Sequence, residues 1–422
     1  MVKKDIVLFI NDAPNDAIDA VSKLSAHLKK ELLVMVLLNV KKQDTSIKKP
    51  KGVDIFILCD FDKDIKVERA LEPFKERLLT VVCRGEKHIE SFSKIIPHVP
   101  YVRTPTAKSL LWATDKIAMR RLFRVYDRTI TPAFAVIKDF DEKTLEKIKK
   151  KVGFPLVIKP AGLASSLLVS ICFHEEDLEL AVKKIFKKIN RLYKENQREK
   201  APMVLVEQFM EGEMYSVDAY VSSRGIVHFC PLVHIKTGRT IGFDDFFGYQ
   251  RVTPVQLKMS SIENARIVAK KAIHALGLRN VTTHIELIRT ERGWKVIEIA
   301  PRVGGMRNKL YELSFGIDHA LNDILIRIPK KPIIPGKKKG YAAALKIFAK
   351  KEGRIEAITG TRKLKTLESF VSSKFLCAVG DRALFSKHGG KAVCDIFLFN
   401  KKYSDLLADI RRIEQTLVIK VK

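Results

Sequence analysis

Lys295–Gly305 reads KVIEIAPRVGG. A strand-like apolar run carries one acid, Glu298, and then finishes on Arg302 and the pair Gly304-Gly305. The stretch just before it, Thr283–Arg289, is also strand-like, and Thr290-Glu291-Arg292-Gly293 joins the two. A three-residue loop, Glu291-Arg292-Gly293, suits a type I turn closed by a glycine in the left-handed region. That register pairs Thr290 with Trp294, Ile288 with Val296 and Glu286 with Glu298. A slip of two residues keeps the parity, so both glutamates point to one side of the hairpin.

Two carboxylates opposed across a strand pair repel one another. On a buried face they are costly without a cation. A magnesium ion resolves the conflict, because it takes hard oxygen ligands beside phosphate. The competing reading has both side chains in water, with Ile285, Leu287, Ile297 and Ile299 packed on the other face. The neighbouring residues favour the metal. Arg302 and Arg307 can hold a carboxylate or a developing anionic oxygen through a bidentate contact. The glycine pair lets the backbone approach a ligand closely. His284 shares the face of Glu286 and fits a packed histidine as well as a site residue.

Upstream, Thr106 is placed to cap a helix over about Ala107–Tyr126. Lys116 and Arg120 share a face of that helix. Strands are expected at Ala133–Ile137, Pro155–Lys159, Leu167–Phe173 and Met203–Phe209, with helices near Glu142–Lys151 and Glu175–Lys194. Lys159 ends a strand and precedes Ala161–Ser166, where small residues such as Ser165 and Ser166 can turn amides and hydroxyls to a phosphate. A lysine with a buried stem and a surface head gives the same pattern. Glu207-Gln208-Phe209-Met210 offers a backbone edge and an apolar slot of the kind adenine requires. Glu213 offers an acceptor for ribose hydroxyls. Ordinary strand punctuation is the alternative for both.

Tyr215–Val221 and Gly225–His234 suggest a hairpin. Thr237–Thr253, rich in glycine, aromatic and charged residues, reads as an active-site loop or as plain surface. Ser260 with Glu263 spells a capping box for the helix that ends at Gly277. Residues 1–103 alternate strand and helix, which argues for a parallel α/β layer. Its first turn, Asn11–Asn15, has no glycine and does not match a dinucleotide-binding loop. Pro329, Pro332 and Pro335 mark a linker before a tail of short strands and one helix.

The chain has 422 residues, 46% of them hydrophobic, enough for two or three domains with real cores. No uninterrupted apolar run approaches the ~18 residues of a membrane span. Met1–Asp5 leads into a short strand-like run, not the long apolar core of a signal peptide. The six cysteines are far apart without a CxxC pair, so a zinc or redox motif is not suggested, and a reducing, cytoplasmic setting is expected. The net charge of +30 is spread over many lysines, with denser runs at Lys41–Lys51, Lys183–Lys200 and Lys337–Lys339. These runs lack the interleaved aromatics of a single-strand platform, so they read as solvated surface with a general attraction for anions and not as a nucleic-acid site.

In order along the chain, TDKIAMRRLF, GFPLVIKPAGLASS, VLVEQFMEGEMYSVDAYV, HIELI and VIEIAPRVGG resemble the motifs of the ATP-grasp superfamily over about Thr104–Ile328. The resemblance implies a mixed α/β and α+β chain. It consists of a pre-ATP-grasp α/β domain (1–103), a two-lobed ATP-grasp domain (104–330) and a small C-terminal α+β domain (331–422), the last similar to that of amino-acid ligases. By match, Lys116 and Lys159 hold the ATP phosphates. Glu207, Gln208 and Met210 border adenine, and Glu213 takes the ribose. Glu286 and Glu298 bind Mg2+, with Mn2+ as the substitute, while Arg302 steadies the reacting phosphoryl and acyl oxygens; Ser165, Ser166 and Arg307 join the site on the residue reading above. The implied reaction is ADP-forming ligation of a small-molecule carboxylate to an amine, with an anionic acceptor hinted at by charge; dimers are common among similar enzymes. A carboxylating, purine-pathway-like enzyme and a protein that binds ATP or nucleic acid without ligating are the alternatives. Three departures stand out. Ala300 replaces an oxygen ligand that many members carry, and the 163–168 loop lacks the usual glycines and arginine. EIAPR is similar to the purine-pathway carboxylating members, but Val303-Gly304-Gly305-Met306 stands where those continue with His-Asn-Ser-Gly, which disfavours that activity.

Overall fold

The computed structural model describes residues 4–40, 47–139, 141–163, 167–195, 201–243 and 245–422. The first layer is built from β1 (Ile6–Ile10), α1 (Asn15–Leu28), β2 (Leu33–Asn39), β3 (Ile55–Cys59), α2 (Asp64–Leu71), β4 (Leu78–Val82) and α3 (Ile89–Ile95). Its strands are all parallel, in the order β3-β2-β1-β4. β1, IVLFI, is wholly buried, as expected of a central strand covered on both faces. Ile6, Leu8 and Ile10 pack towards α2 and α3. Val7 and Phe9 pack towards α1 and a helix from much later in the chain, His319–Leu325.

Two helices follow, α4 (Ala107–Thr114) and α5 (Lys116–Tyr126), where the apolar spacing predicts one. Asp115 makes the break. It is extended, and its carboxylate accepts from the N–H groups of Ile117 and Ala118, which caps α5. Thr106 caps α4 as expected, accepting from the Ser109 N–H. A small lobe comes next: β5 (Phe134–Ile137), α6 (Glu142–Lys151), β6 (Leu156–Pro160), β7 (Ser170–Cys172), α7 (Glu175–Glu195) and β8 (Val204–Gln208). Its antiparallel sheet runs β5-β8-β6-β7, and the apolar faces of α6 and α7 cover one side.

The largest sheet begins with β9 (Glu213–Val221), β10 (Val227–Phe229), β11 (Val233–Thr237) and β12 (Gly248–Thr253). It continues after α8 (Met259–Ala275) with β13 (Val281–Thr290) and β14 (Gly293–Ala300). Then come α9 (Arg307–Phe315), α10 (His319–Leu325), β15 (Tyr341–Ile347), β16 (Gly353–Thr359), α11 (Thr361–Leu364), β17 (Phe370–Phe375), β18 (Arg382–Ala383), β19 (Cys394–Asn400), α12 (Tyr403–Thr416) and β20 (Val418–Val421). The path is β14-β13-β9-β11-β12-β15-β19-β17, with β10 on β9. β16, β18 and β20 form a separate three-stranded sheet.

Three expectations change here. The second half of 237–253 is not a loop but β12, because Gln250–Thr253 pair with Ala342–Leu345 of β15. Through this pairing, the residues after the proline-rich linker extend the same sheet. The Ser260–Glu263 box does not form. Lys258 takes the cap position of α8 without a side-chain bond, and Glu263 pairs with Arg266 at 2.6 Å. The hairpin loop is shorter than the three residues expected, since Thr290 pairs with Gly293 and Arg289 with Trp294.

Candidate active site

The shorter loop shifts the hairpin by one residue, which alone would put the glutamates on opposite faces. A bulge at Ile297, between the Glu286 and Leu287 pairings, restores the parity. Glu286 therefore lies directly across from Glu298, as the sequence suggested. The other face of the hairpin, with Ile285, Leu287, Val296 and Ile299, is buried against α8 and α5. Ile297, expected in that core, is the bulged residue instead.

The carboxylates keep about a quarter to a third of their surface, 26% for Glu286 and 31% for Glu298. Lys116, in the first turn of α5, reaches Glu298 at 3.4 Å and donates to the Leu163 carbonyl at 2.9 Å. Lys116 holds the Glu298 carboxyl down to about 2, with Lys159 and Arg302 adding to the effect. Burial works against the charge on Lys116, but Glu298 and Glu86 more than offset it and raise its pKa. His284 donates to the Asp218 carboxylate at 2.7 Å and lies 3.7 Å from Glu286. Burial opposes its charge, yet Asp218 raises its pKa.

Arg302 lies against Glu86 of the first layer, bound through Nε at 3.1 Å and also through Nη2. Residues 216 apart in the chain are thus joined beside the carboxylate pair. Sequence reading gave no sign of Glu86, which stands in a short helical turn between β4 and α3. Arg307 is 1% exposed and donates to Ser216 Oγ at 2.7 Å and to the Gly305 carbonyl at 3.1 Å. Among the described residues its Nε has no hydrogen-bond partner, though it lies 3.9 Å from Asp218 Oδ1.

The glycine pair divides its work. A Cβ on Gly304 would meet His284 Nδ1 at 2.5 Å and Asp218 Oδ1 at 2.9 Å, and the Gly304 N–H donates to Asp218 Oδ2 at 2.8 Å. Gly305 faces open space, with nothing within 4 Å of a Cβ placed there. Gly304 thus locks the loop to the sheet, and Gly305 leaves room for a ligand.

Glu207 behaves differently from its expected neighbours. Its carboxylate is buried between Arg120 and Lys159, the latter at 2.6 Å. Arg120 also donates to the carbonyls of Val296 and Ile297, so the triad pins the bulged strand. Burial lowers the pKa of Lys159, with Glu207 opposing. Gln208 is exposed and Met210 half-buried at the crossover between the lobes. Glu213 lies on the other face of β9, by period two, from Ser216 and Asp218. Its carboxylate accepts from Tyr215 at 2.9 Å and pairs with Arg289 at 3.3 Å. It lines a cavity of about 320 Å³ with His234, Val252 and Tyr403, away from the carboxylate pair. Ser165 and Ser166 lie outside the described residues.

Glu286 and Glu298 suit a divalent cation, being opposed, partly open and flanked by cations that match phosphate. Among the described residues no cluster of three or more His, Cys, Asp or Glu side chains could hold a metal. With only two protein carboxylates there, an ion would need further oxygen ligands from outside the described side chains.

Residues 152–309 match the ATP-grasp domain family. This chain carries an ATP-grasp domain. The match ends just past the glycine pair and contains both hairpin glutamates. Alanine–anticapsin ligase of Bacillus amyloliquefaciens is 31% identical over 235 residues, covering 50% of this chain and 47% of that protein. The chain spans about half the length of the curated relatives it matches first. An L-amino acid ligase from Bacillus licheniformis superposes over 100% of both chains with a TM-score of 0.78 at 18% identity. N5-carboxyaminoimidazole ribonucleotide synthetase from Thermotoga maritima superposes over 99% of this chain and 100% of its own, with a TM-score of 0.67 at 18% identity. At such identities the likeness is one of fold, and it extends the ATP-grasp architecture to the regions before and after the matched domain.

Proposed function

We propose that the protein is an ATP-dependent, ADP-forming carboxylate–amine ligase acting on an amino acid or a small peptide. The opposed pair Glu286–Glu298, with Lys116 on one carboxylate and Arg302 beside it, carries this reading. In the reaction a substrate carboxylate oxygen attacks the γ-phosphorus of ATP. The bond to the β–γ bridging oxygen breaks, and ADP leaves. An amine nitrogen then attacks the acyl carbon, phosphate leaves, and the nitrogen gives up a proton. Such chemistry rests on positioning and charge neutralisation.

Each residue has a defined task in this scheme. Lys116 and Lys159 meet phosphate oxygens, with Ser165 and Ser166 proposed beside them. Glu207, through its backbone, Gln208 and Met210 border adenine; Glu213, held by Tyr215 and Arg289 on the other face of β9, would have to leave those partners to reach the ribose. Glu286 and Glu298 hold Mg2+, which supplies charge neutralisation at the phosphates when bound. Arg302, aligned by Glu86, faces the oxygens of the reacting phosphoryl and acyl groups. Arg307 holds the glycine loop from behind, a positioning task in place of direct contact. The three regions 1–103, 104–330 and 331–422 are proposed as the working domains, and a cytoplasmic homodimer as the working form. No helix among the described residues is long and apolar enough to cross a membrane.

The test is a screen of amino-acid pairs for ATP-dependent phosphate release, with mass spectrometry of the products. A ligated product is expected. Phosphate release that requires bicarbonate and no amino acid would favour the carboxylating alternative.

A further inference from the structure

The face of the large sheet that carries Glu286 continues across the chain, and its far end is basic. Register traces it strand by strand. Glu286 pairs with Ser216, and Ser216 with Val233. Ile235, two residues on and so on the same face, pairs with Arg251, and Arg251 with Ala344. Lys346, again two residues on, pairs with Asp395, which pairs with Lys374. α9, carrying Arg307, packs against β12, β15 and β19 over this face.

Arg251 and Lys346 are half-buried, and neither makes an ion pair within 4.0 Å with any described carboxylate. The Arg251 guanidinium donates to the Gly248 carbonyl at 2.7 Å and lies so close that a Cβ on Gly248 would meet it at 2.5 Å. Burial and the nearby Arg307 push Arg251 down to about 10, while Glu286 and Asp395 oppose the shift. Burial and Arg251 lower the pKa of Lys346. Asp395 stands opposite Lys346 on the neighbouring strand, but burial raises its own pKa and its Oδ1 has no hydrogen-bond partner among the described residues. Cations held together in a partly dry site without an anion are costly, and an arriving anion relieves that cost.

We propose that Arg251 and Lys346, backed by Arg307, form a subsite for a second carboxylate of the substrate, so that the enzyme takes an acidic, dicarboxylic amino acid in preference to its neutral analogue. This assignment rests on the ligase reading and narrows its substrate class. β12 lies three strands from β13, roughly 14 Å at ordinary strand spacing. The arginine side chain spans enough of that gap for its charge to act on Glu286. The subsite therefore sits beyond the reacting centre, on the side away from Lys116 and Lys159. Planar guanidinium and carboxylate groups match in geometry, and a site built for that contact rejects an amide in the same place.

The experiment compares aspartate, glutamate and 2-aminoadipate with asparagine, glutamine and the corresponding aminoadipate amide. Each is assayed for ATP-dependent phosphate release with an alanine partner and, separately, for binding by calorimetry. The wild-type protein is expected to favour at least one acid over its amide by about tenfold to a hundredfold, the usual worth of a hydrogen bond to a charged group. Arg251→Gln and Lys346→Gln should each erase most of that preference through KM, with affinity for ATP unchanged. If Arg251→Gln fails to fold, the more exposed Lys346→Gln carries the test alone. Equal use of acids and amides, a preference untouched by the variants, or a matching loss of ATP affinity would overturn the subsite. Acid-selective binding without phosphate release from any pair would sink the ligase reading and keep the subsite. Phosphate release with neutral pairs only would do the reverse.

Discussion

Glu207 and Glu298 are both held near a pKa of 2, and their surroundings show that equal shifts serve different ends. Burial works against the charge of Glu207, but Arg120 and Lys159 outweigh it. Its side chain is 5% exposed, both oxygens are engaged, and Arg120 ties it to the hairpin backbone. Glu298 is 31% exposed and has one cation at 3.4 Å, which leaves room for another ligand. The first acid is structural glue between two lobes. The second keeps its charge through Lys116 and stays partly open, which is what the proposed metal role requires. A depressed pKa therefore identifies neither role without the geometry around it.

Substitution of both acids tests that contrast most strongly. Glu207→Gln leaves two buried cations short of a counter-charge, and a loss of about 3–5 kcal/mol is expected in denaturant unfolding. A loss under ~1 kcal/mol would break the contrast. Glu298→Gln should keep the unfolding midpoint and lower ligase turnover by about a hundredfold to a thousandfold, the scale for one electrostatic contact at a reacting phosphoryl group. Unchanged turnover would count against the metal role.

The pH dependence of stability sharpens the same point. Glu207, Glu298 and Asp218 all have folded pKa values below their ordinary ones. Their stabilisation is therefore present above the unfolded carboxylate range and fades as pH falls from about 4.5 towards 2. Glu207→Gln should flatten that fall more than Glu298→Gln, as read from thermal melts across the window. The smallest effect is expected from Glu86→Gln. With Arg302 still present but less well aligned, kcat should fall about tenfold with little change in KM for ATP. An unaltered kcat would show that Arg302 needs no partner from the first layer.

Much of the architecture could be read along the chain because local periodicity carried it. Alternation of five-residue apolar runs with amphipathic helices gave the parallel first layer, and period two gave the hairpin with its paired acids. Signals failed where a neighbour elsewhere in the chain decided the outcome. Thr237–Thr253 looked like a loop because its glycines and aromatics have no clean alternation; pairing with β15 makes its second half a strand. The Ser260–Glu263 box is a good local pattern, yet the helix begins two residues earlier, with Lys258 at the cap, and Glu263 turns to Arg266. Even the glutamate pairing needed two deviations from the expected hairpin, a shorter loop and a bulge, whose effects on parity cancel.

The sequence by itself determined the parallel layer, the acid pair on one hairpin and the glycine pair after it, since each depends on residues a few positions apart. Tertiary structure alone decided that Arg302 meets Glu86, that Glu207 is sealed between Arg120 and Lys159, and that Arg251 and Lys346 share a face with Glu286. The reason is physical. Backbone periodicity sets which way a side chain points, whereas the worth of a charge depends on burial and on partners brought close only by folding.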